Sequence, residues 1–201
     1  MAKVCEYFFA PVSPYTNLGH DAFVALARRH HVQLLLKPFD LGRVLPLSGG
    51  LPVSQRAPQR QNYRLVELKR WSEFRNLPVN LSPRFFPVSG ELASRLIVAV
   101  QLAHGTDRAL ALVKLVAQAV WVDEANIADE ATLARLAESL ELDGATLLKA
   151  AMGANVQSTV VQHTDEAIAA GVFGSPWYVY DGEPFWGQDR LDFVERAFSG
   201  A

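Results

Sequence analysis

Val4-Cys5-Glu6-Tyr7-Phe8-Phe9-Ala10-Pro11-Val12-Ser13-Pro14-Tyr15-Thr16 is the stretch that decides how this chain folds. Residues 3–9 are aromatic, β-branched and few, the mark of a short strand. The chain then meets Ser13-Pro14, a hydroxyl residue followed by proline, which suits the N-cap and first position of a helix. Residues 17–29 continue that helix, with Leu18, Ala22, Ala25 and Leu26 on one face. Residues 32–39 read as a second strand, parallel to the first if the helix between them makes a crossover.

A second informative run lies near the other end: Val172-Phe173-Gly174-Ser175-Pro176-Trp177-Tyr178-Val179-Tyr180, then Phe185-Trp186-Gly187-Gln188-Asp189-Arg190. Residues 177–180 and 184–186 form a hairpin around Asp181-Gly182, a dipeptide suited to a tight turn. Residues 189–199 are the closing helix, with Leu191, Val194 and Phe198 facing inward. Between the two runs, residues 42–58 read as a loop holding Pro46, Gly49-Gly50 and Pro52. A loop of that length in a compact domain is usually functional. Residues 60–171 are almost all helical, over 61–74, 90–104, 106–122 and 155–170. Gly105 and Gly171 are placed as helix stops and Asp129 and Asp143 as N-caps. The order is β-α-β, a helical insertion, then β-β-α. The end pieces must reunite, because neither alone has a sheet able to stand in water. Residues 1–58 and 172–201 are therefore expected as one domain and residues 59–171 as a helical domain inserted in it.

A strand, a reactive turn, a helix and a late X-Pro ahead of a strand make the plan of a thioredoxin-like α/β fold. In redox enzymes of that plan the turn reads Cys-x-x-Cys. Here Ser13 and Thr16 occupy the two thiol positions, and hydroxyls form no disulfide. Ser13 is either a plain N-cap or a residue that steadies a thiolate at the positive end of a helix. The chain has a single cysteine, Cys5, which falls in the first strand as a buried, inert thiol. With no internal disulfide, a reducing, cytoplasmic setting is expected. The sulfur must then come from a ligand, and glutathione is the obvious soluble candidate. Ser175-Pro176 is either an ordinary strand start or a cis bond that frees the Ser175 N–H and C=O to pair with a peptide-like ligand. Gly187-Gln188-Asp189-Arg190 either caps the last helix through Asp189 or offers a second helix N-terminus to glutathione. In the latter case Asp189 takes the α-ammonium of the γ-glutamyl group and Gln188 serves either end. Arg43 is a surface arginine or the partner of a substrate carboxylate. Tyr15, Phe85, Phe86, Trp177 and Trp186 line an aromatic slot or belong to the core.

Several functions are excluded at this level. With 19 Lys and Arg against 21 Asp and Glu, the formal charge of −2 gives no basic surface for nucleic acid. No apolar run reaches the roughly 18 residues of a membrane span, and the N-terminus has no signal-like pattern. The histidines are scattered, so no metal site is expected. Phosphate-loop, dinucleotide and nucleophile-elbow motifs are missing. Arg60, Arg64, Lys69, Arg70 and Arg75 read as a solvated helix face.

Ser13-Pro14-Tyr15, Leu68 to Trp71, Ile127-Ala128-Asp129 and the whole run from Ala170 to Leu191 give the chain a marked likeness. It resembles the 2-hydroxychromene-2-carboxylate isomerases, relatives of the kappa-class glutathione transferases within the DsbA-like thioredoxin superfamily. The resemblance implies a helical domain inserted in a thioredoxin fold, a homodimer and glutathione as cofactor. It makes Ser13 the catalytic residue that holds the glutathione sulfur. Ser175 and Pro176 would contact the glutathione backbone, and Gln188 and Asp189 the γ-glutamyl end. Gly187 and Arg190 are expected with them in the cofactor-binding turn, and Arg43 and Tyr15 remain the expected residues on the side of a small aromatic substrate. The implied reaction interconverts 2-hydroxychromene-2-carboxylate and trans-o-hydroxybenzylidenepyruvate. The chain departs from the family pattern at Ala10-Pro11-Val12, Thr16-Asn17, Gly50, Gln59-Arg60 and Ser89, which lie near the expected substrate side. A kappa-like transferase or peroxidase is the alternative enzyme, and a non-catalytic ligand-binding protein the alternative outside catalysis.

Overall fold

The central strand explains why the first residues decide the architecture. In the computed structural model, which describes residues 3–200, β1 (Val4–Phe9) lies between two partners. It pairs in parallel with β2 (Gln33–Pro38) and antiparallel with β3 (Trp177–Tyr180), and β4 (Glu183–Trp186) forms the edge, giving the order β2-β1-β3-β4. A strand covered on both faces needs near-continuous apolar residues. Cys5, Tyr7, Phe8 and Phe9 are accordingly all buried. Tyr7 and Phe9 face α1 (Pro14–Arg29) and the main core, whereas Phe8 joins Phe39, Val44, Ala167, Val172 and Trp177 in a smaller cluster. Burial pushes the Cys5 thiol up to about 12, so the one sulfhydryl of the chain is not a nucleophile. The β3–β4 turn is Asp181-Gly182, both with positive φ (50° and 79°), as a tight hairpin requires.

The stretch expected as a long loop is more ordered than its glycines and prolines suggested. It holds a short helix, α2 (Leu41–Val44), capped by the Asp40 carboxylate accepting the Gly42 N–H at 2.8 Å, and two 3₁₀ turns at Leu45–Ser48 and Val53–Gln55. Gly50 packs closely on Leu45: a Cβ there would lie 2.6 Å from Leu45 Cδ2 and 3.0 Å from its carbonyl oxygen.

The insertion comprises α3 (Pro58–Arg75), α4 (Glu91–His104), α5 (Thr106–Trp121), α6 (Glu130–Glu138), α7 (Gly144–Ala151) and α8 (Ala154–Ala169). Asp129 and Asp143 cap α6 and α7 as expected, accepting the N–H groups of Thr132 and Thr146. Gly105 both ends α4 and begins α5. The apolar faces of α4 and α5, with Ile97, Val113 and Trp121 fully buried, continue the core that Tyr7, Leu18 and Phe23 begin. No helix among the described residues is long and apolar enough to cross a membrane.

The chain closes with α9 (Leu191–Ser199), which buries Val194 and Phe198. A 3₁₀ turn, Gln188–Arg190, precedes it, so the helix starts later than expected and Asp189 does not cap it. This turn packs closely on α1, because a Cβ on Gly19 would lie 2.5 Å from Gln188 Cβ. His20, one residue on, is buried. Its Nε2–H donates to the Leu110 carbonyl at 3.0 Å, which leaves Nδ1 to accept the Tyr7 hydroxyl proton at 3.2 Å. Burial pushes the His20 imidazole down to about 4.

Two stability predictions rest on this helix. Gly19→Ala should improve helix propensity yet destabilise the fold by roughly 1–3 kcal/mol through overpacking against Gln188; a lower urea midpoint checks it, and an unchanged or higher one refutes it. His20 binds a proton in the unfolded chain near pH 6.5 but in the folded chain only near 4. The folded state is therefore favoured above pH 6.5 and loses up to about 3 kcal/mol as pH falls to 4. His20→Gln should remove that part of the pH dependence, measured as the difference between the two proteins' urea midpoints at pH 7 and pH 4.5.

Candidate active site

Ser13 stands at the junction of β1 and α1 because the strand delivers the chain to a Ser-Pro pair. Proline at the first helical position gives up an N–H that would be unpaired anyway. Ser13 Oγ accepts the Thr16 N–H at 3.3 Å, a helix N-cap bond. Its own proton goes elsewhere, to the Ser175 carbonyl at 3.1 Å. Ser175 answers with its side chain: its Oγ accepts the Ala10 N–H at 2.8 Å and lies 3.0 Å from Thr16 Oγ1. Ser13, Thr16 and Ser175 thus form one buried hydroxyl cluster, tying the turn after β1 to the loop before β3. The Ser175–Pro176 bond is cis, as expected. The Ser175 carbonyl is not free, since Ser13 holds it, whereas its N–H has no partner among the described residues. The cluster is therefore a set of polar groups at the positive end of a 16-residue helix, suited to an anion such as a thiolate.

The turn ahead of α9 lies on the other flank of α1. Gly187 N–H donates to the Pro176 carbonyl at 3.0 Å, which joins this turn to the loop carrying Ser175. Gln188 is buried, and its backbone and side-chain carbonyl oxygens accept from Arg75 Nη2 at 3.0 and 3.2 Å. That places Gln188 as a support of the turn. Asp189 is partly open and forms an ion pair with Arg190.

Arg43 is distant from this chemistry in its contacts: it holds the Asp165 carboxylate of α8 at 2.9 Å, both side chains about half exposed. The aromatic residues separate into two groups. Trp177 is buried beside Phe8, and half-exposed Trp186 stacks edge-on against Phe173, which in turn rests on Trp177. Phe85 lies under Arg84. Phe86 stacks on Trp121, whose Nε1–H donates to the Val12 carbonyl at 3.2 Å, one residue before Ser13. Tyr15, half-buried, packs against the main core near Arg64. Burial raises its hydroxyl pKa, an effect opposed by the nearby Arg64 guanidinium. The surface groove bounded by Glu183, Trp186, Arg190, Phe193 and Arg196 contains none of the clustered hydroxyls.

The structure corrects one expectation here. Arg64 and Arg75 are not part of a solvated face. Arg64 is only 9% exposed and lies over both Phe86 and Trp121, while Arg75 lies over Trp71 and reaches Gln188. Their spacing on α3 was the available signal, since residues eleven apart return to nearly the same face at about 3.6 per turn.

Comparisons with known proteins agree with this architecture. The chain is 27% identical over 196 residues to a 2-hydroxychromene-2-carboxylate isomerase of Sphingobium xenophagum, covering 97% of each chain. It is 27% identical over 219 residues to glutathione S-transferase kappa 2 of Caenorhabditis elegans, covering 98% of this chain and 94% of that one. A solved 2-hydroxychromene-2-carboxylate isomerase superposes with a TM-score of 0.81 at 25% identity, over 98% of this chain and 95% of that one. The match to the DSBA-like thioredoxin domain spans residues 4–199, and the chain belongs to that family.

Proposed function

We propose that this chain is a glutathione-dependent isomerase that interconverts 2-hydroxychromene-2-carboxylate and trans-o-hydroxybenzylidenepyruvate, or a close aryl-carboxylate pair. The observation that carries the reading is the hydroxyl cluster at the start of α1 in a protein whose own thiol is buried and held near 12. A site that favours an anionic sulfur, with no sulfur of its own to place there, suits a thiol ligand. The similarity to chromene-carboxylate isomerases over nearly the whole chain gives the same direction.

The residues fit glutathione in part. Ser13 would hold the sulfur, the Ser175 N–H beside Pro176 the peptide backbone, and Asp189 the ammonium of the γ-glutamyl end. Asp189 must first part from Arg190, and Gln188 acts from behind, with Arg75, by fixing Gly187 and Asp189 in place. Glutathione, when bound, supplies a thiolate whose reversible attack on the conjugated double bond turns that bond single and lets it rotate. Ser13 must turn its proton from the Ser175 carbonyl toward the sulfur, while the Thr16 N–H continues to hold Oγ. The N-terminal turn of α1 adds its partial positive charge. In this reading the protein works as a cytoplasmic homodimer, with residues 59–171 as the helical domain inserted between residues 1–58 and 172–201.

Ser13→Ala should lower turnover by about 10- to 100-fold, the worth of one hydrogen bond to a charged reacting atom, while glutathione affinity by calorimetry changes only a few-fold. Unchanged turnover with a large loss of binding contradicts the role given to Ser13. No uptake of glutathione at millimolar concentration removes the reading as a whole. Cys5→Ser should retain activity, because that sulfur is sealed in the sheet.

The similarity to a kappa-class transferase favours a second reading, transfer of the same thiolate to an electrophile. Turnover of chlorodinitrobenzene, with none of the chromene carboxylate, selects it.

A further inference from the structure

Arg64 is a buried cation without a carboxylate. Its guanidinium carbon lies 5.3 Å from the centre of the Phe86 ring and 5.6 Å from that of Trp121. Nη2 is buried and has no hydrogen-bond partner among the described residues. Glu67, one turn further along α3, gives its carboxylate to Arg70 instead. Arg56 adds repulsion, and the nearby Tyr15 hydroxyl, kept neutral by burial, brings no counter-charge. Burying a charge without a counter-ion costs several kcal/mol, of which two aromatic faces return only a part. The residue is nevertheless held beside the reactive turn: Trp121, under Arg64, is hydrogen-bonded to Val12, and Tyr15 follows Ser13 by two residues.

We propose that Arg64 is a ligand-binding residue of this site, receiving the carboxylate of an aryl-carboxylate ligand whose flat body lies against the half-buried rings of Tyr15 and Phe86. A guanidinium fork matches a carboxylate with two parallel N–H···O bonds, and the aromatic neighbours favour a conjugated ring over an aliphatic chain. The assignment rests on the isomerase reading only for the identity of the substrate; the carboxylate site itself stands on the geometry of Arg64. Arg43, by contrast, is paired with Asp165 at the surface. The substrate and the glycine end of glutathione both carry a carboxylate, and the two are separable by measurement.

The test uses trans-cinnamate and its uncharged amide as probes, with binding read by calorimetry and by quenching of tryptophan fluorescence. The wild-type protein should bind cinnamate at least about tenfold more tightly than cinnamamide, the range for one charged bidentate contact. Arg64→Met should erase that preference. The same variant should melt no lower than wild type, because an apolar side chain suits the aromatic box better than an unpaired charge. In turnover assays a raised KM for the chromene carboxylate with unchanged glutathione affinity assigns the site to substrate, and a weakened glutathione affinity assigns it to the tripeptide. Equal affinity of wild-type protein for acid and amide overturns the proposal without any variant. So does a folded Arg64→Met protein that keeps the preference, or one that melts lower while binding cinnamate as before. Cinnamate preference at Arg64 without isomerase turnover would retain this site and refute the isomerase reading.

Discussion

The site depends on a link across the whole length of the chain, the bonds between Ser175 and the turn that runs from Ala10 to Thr16. Ser175 contributes a carbonyl to Ser13, an acceptor to the Ala10 N–H and a hydroxyl contact to Thr16. The residues are buried, so each of these polar groups needs a partner. Their mutual satisfaction is what lets hydroxyls occupy the position at which other members of this plan carry a redox pair. The same bonds set the chemistry. Ser13 cannot offer its proton to a ligand without releasing the Ser175 carbonyl, so binding of an anion and loosening of this link are one event.

The second constraint is α3. It runs from the ordered segment after β2 to the turn before α9, and one face carries Arg64, Leu68, Trp71 and Arg75. Leu68 is buried and anchors the face in the core. Arg64 then falls over Trp121, which is bonded to Val12, while Arg75 falls beside Gln188. One helix thus brings a cation to each of the two turns that flank α1. These guanidinium groups differ in state: Arg75 donates to two carbonyl oxygens, whereas Arg64 rests on two aromatic faces with no hydrogen-bond partner for Nη2 among the described residues.

What could be read directly from the sequence was what is local. β1, the Ser13-Pro14 helix start, the Asp181-Gly182 turn and the Asp129 and Asp143 caps each depend on neighbours within a few residues, and each appears in place. The stretch 42–58 was harder because proline and glycine punctuate 3₁₀ turns as readily as coil; Pro46 starts one and Gly49, with φ of 73°, ends it. The closing helix slipped for a similar reason, since Asp189 lies inside a 3₁₀ turn and pairs with Arg190 rather than with backbone N–H groups. The spacing of Arg64 and Arg75 put them on one face of α3, but charged residues at helical spacing normally face water. Only the tertiary placement of Phe86, Trp121 and Gln188 shows otherwise.

Replacing hydroxyl by sulfur at one position would not by itself recover disulfide chemistry. A thiol at position 13 would need its partner at position 16, and Thr16 is fully buried with its hydroxyl already committed to Ser175. The remaining sulfur, Cys5, is fixed in the centre of the sheet, and desolvation keeps it protonated at any physiological pH. In the proposed reading reactivity is brought in by a ligand, and the protein does what fixed dipoles do well: hold charge in one place. The partial charge of α1 and the cation of Arg64 are in place before any ligand arrives, and only the Ser13 proton has to turn. Groups held in this way lose little by reorganising when charge develops on a reacting molecule.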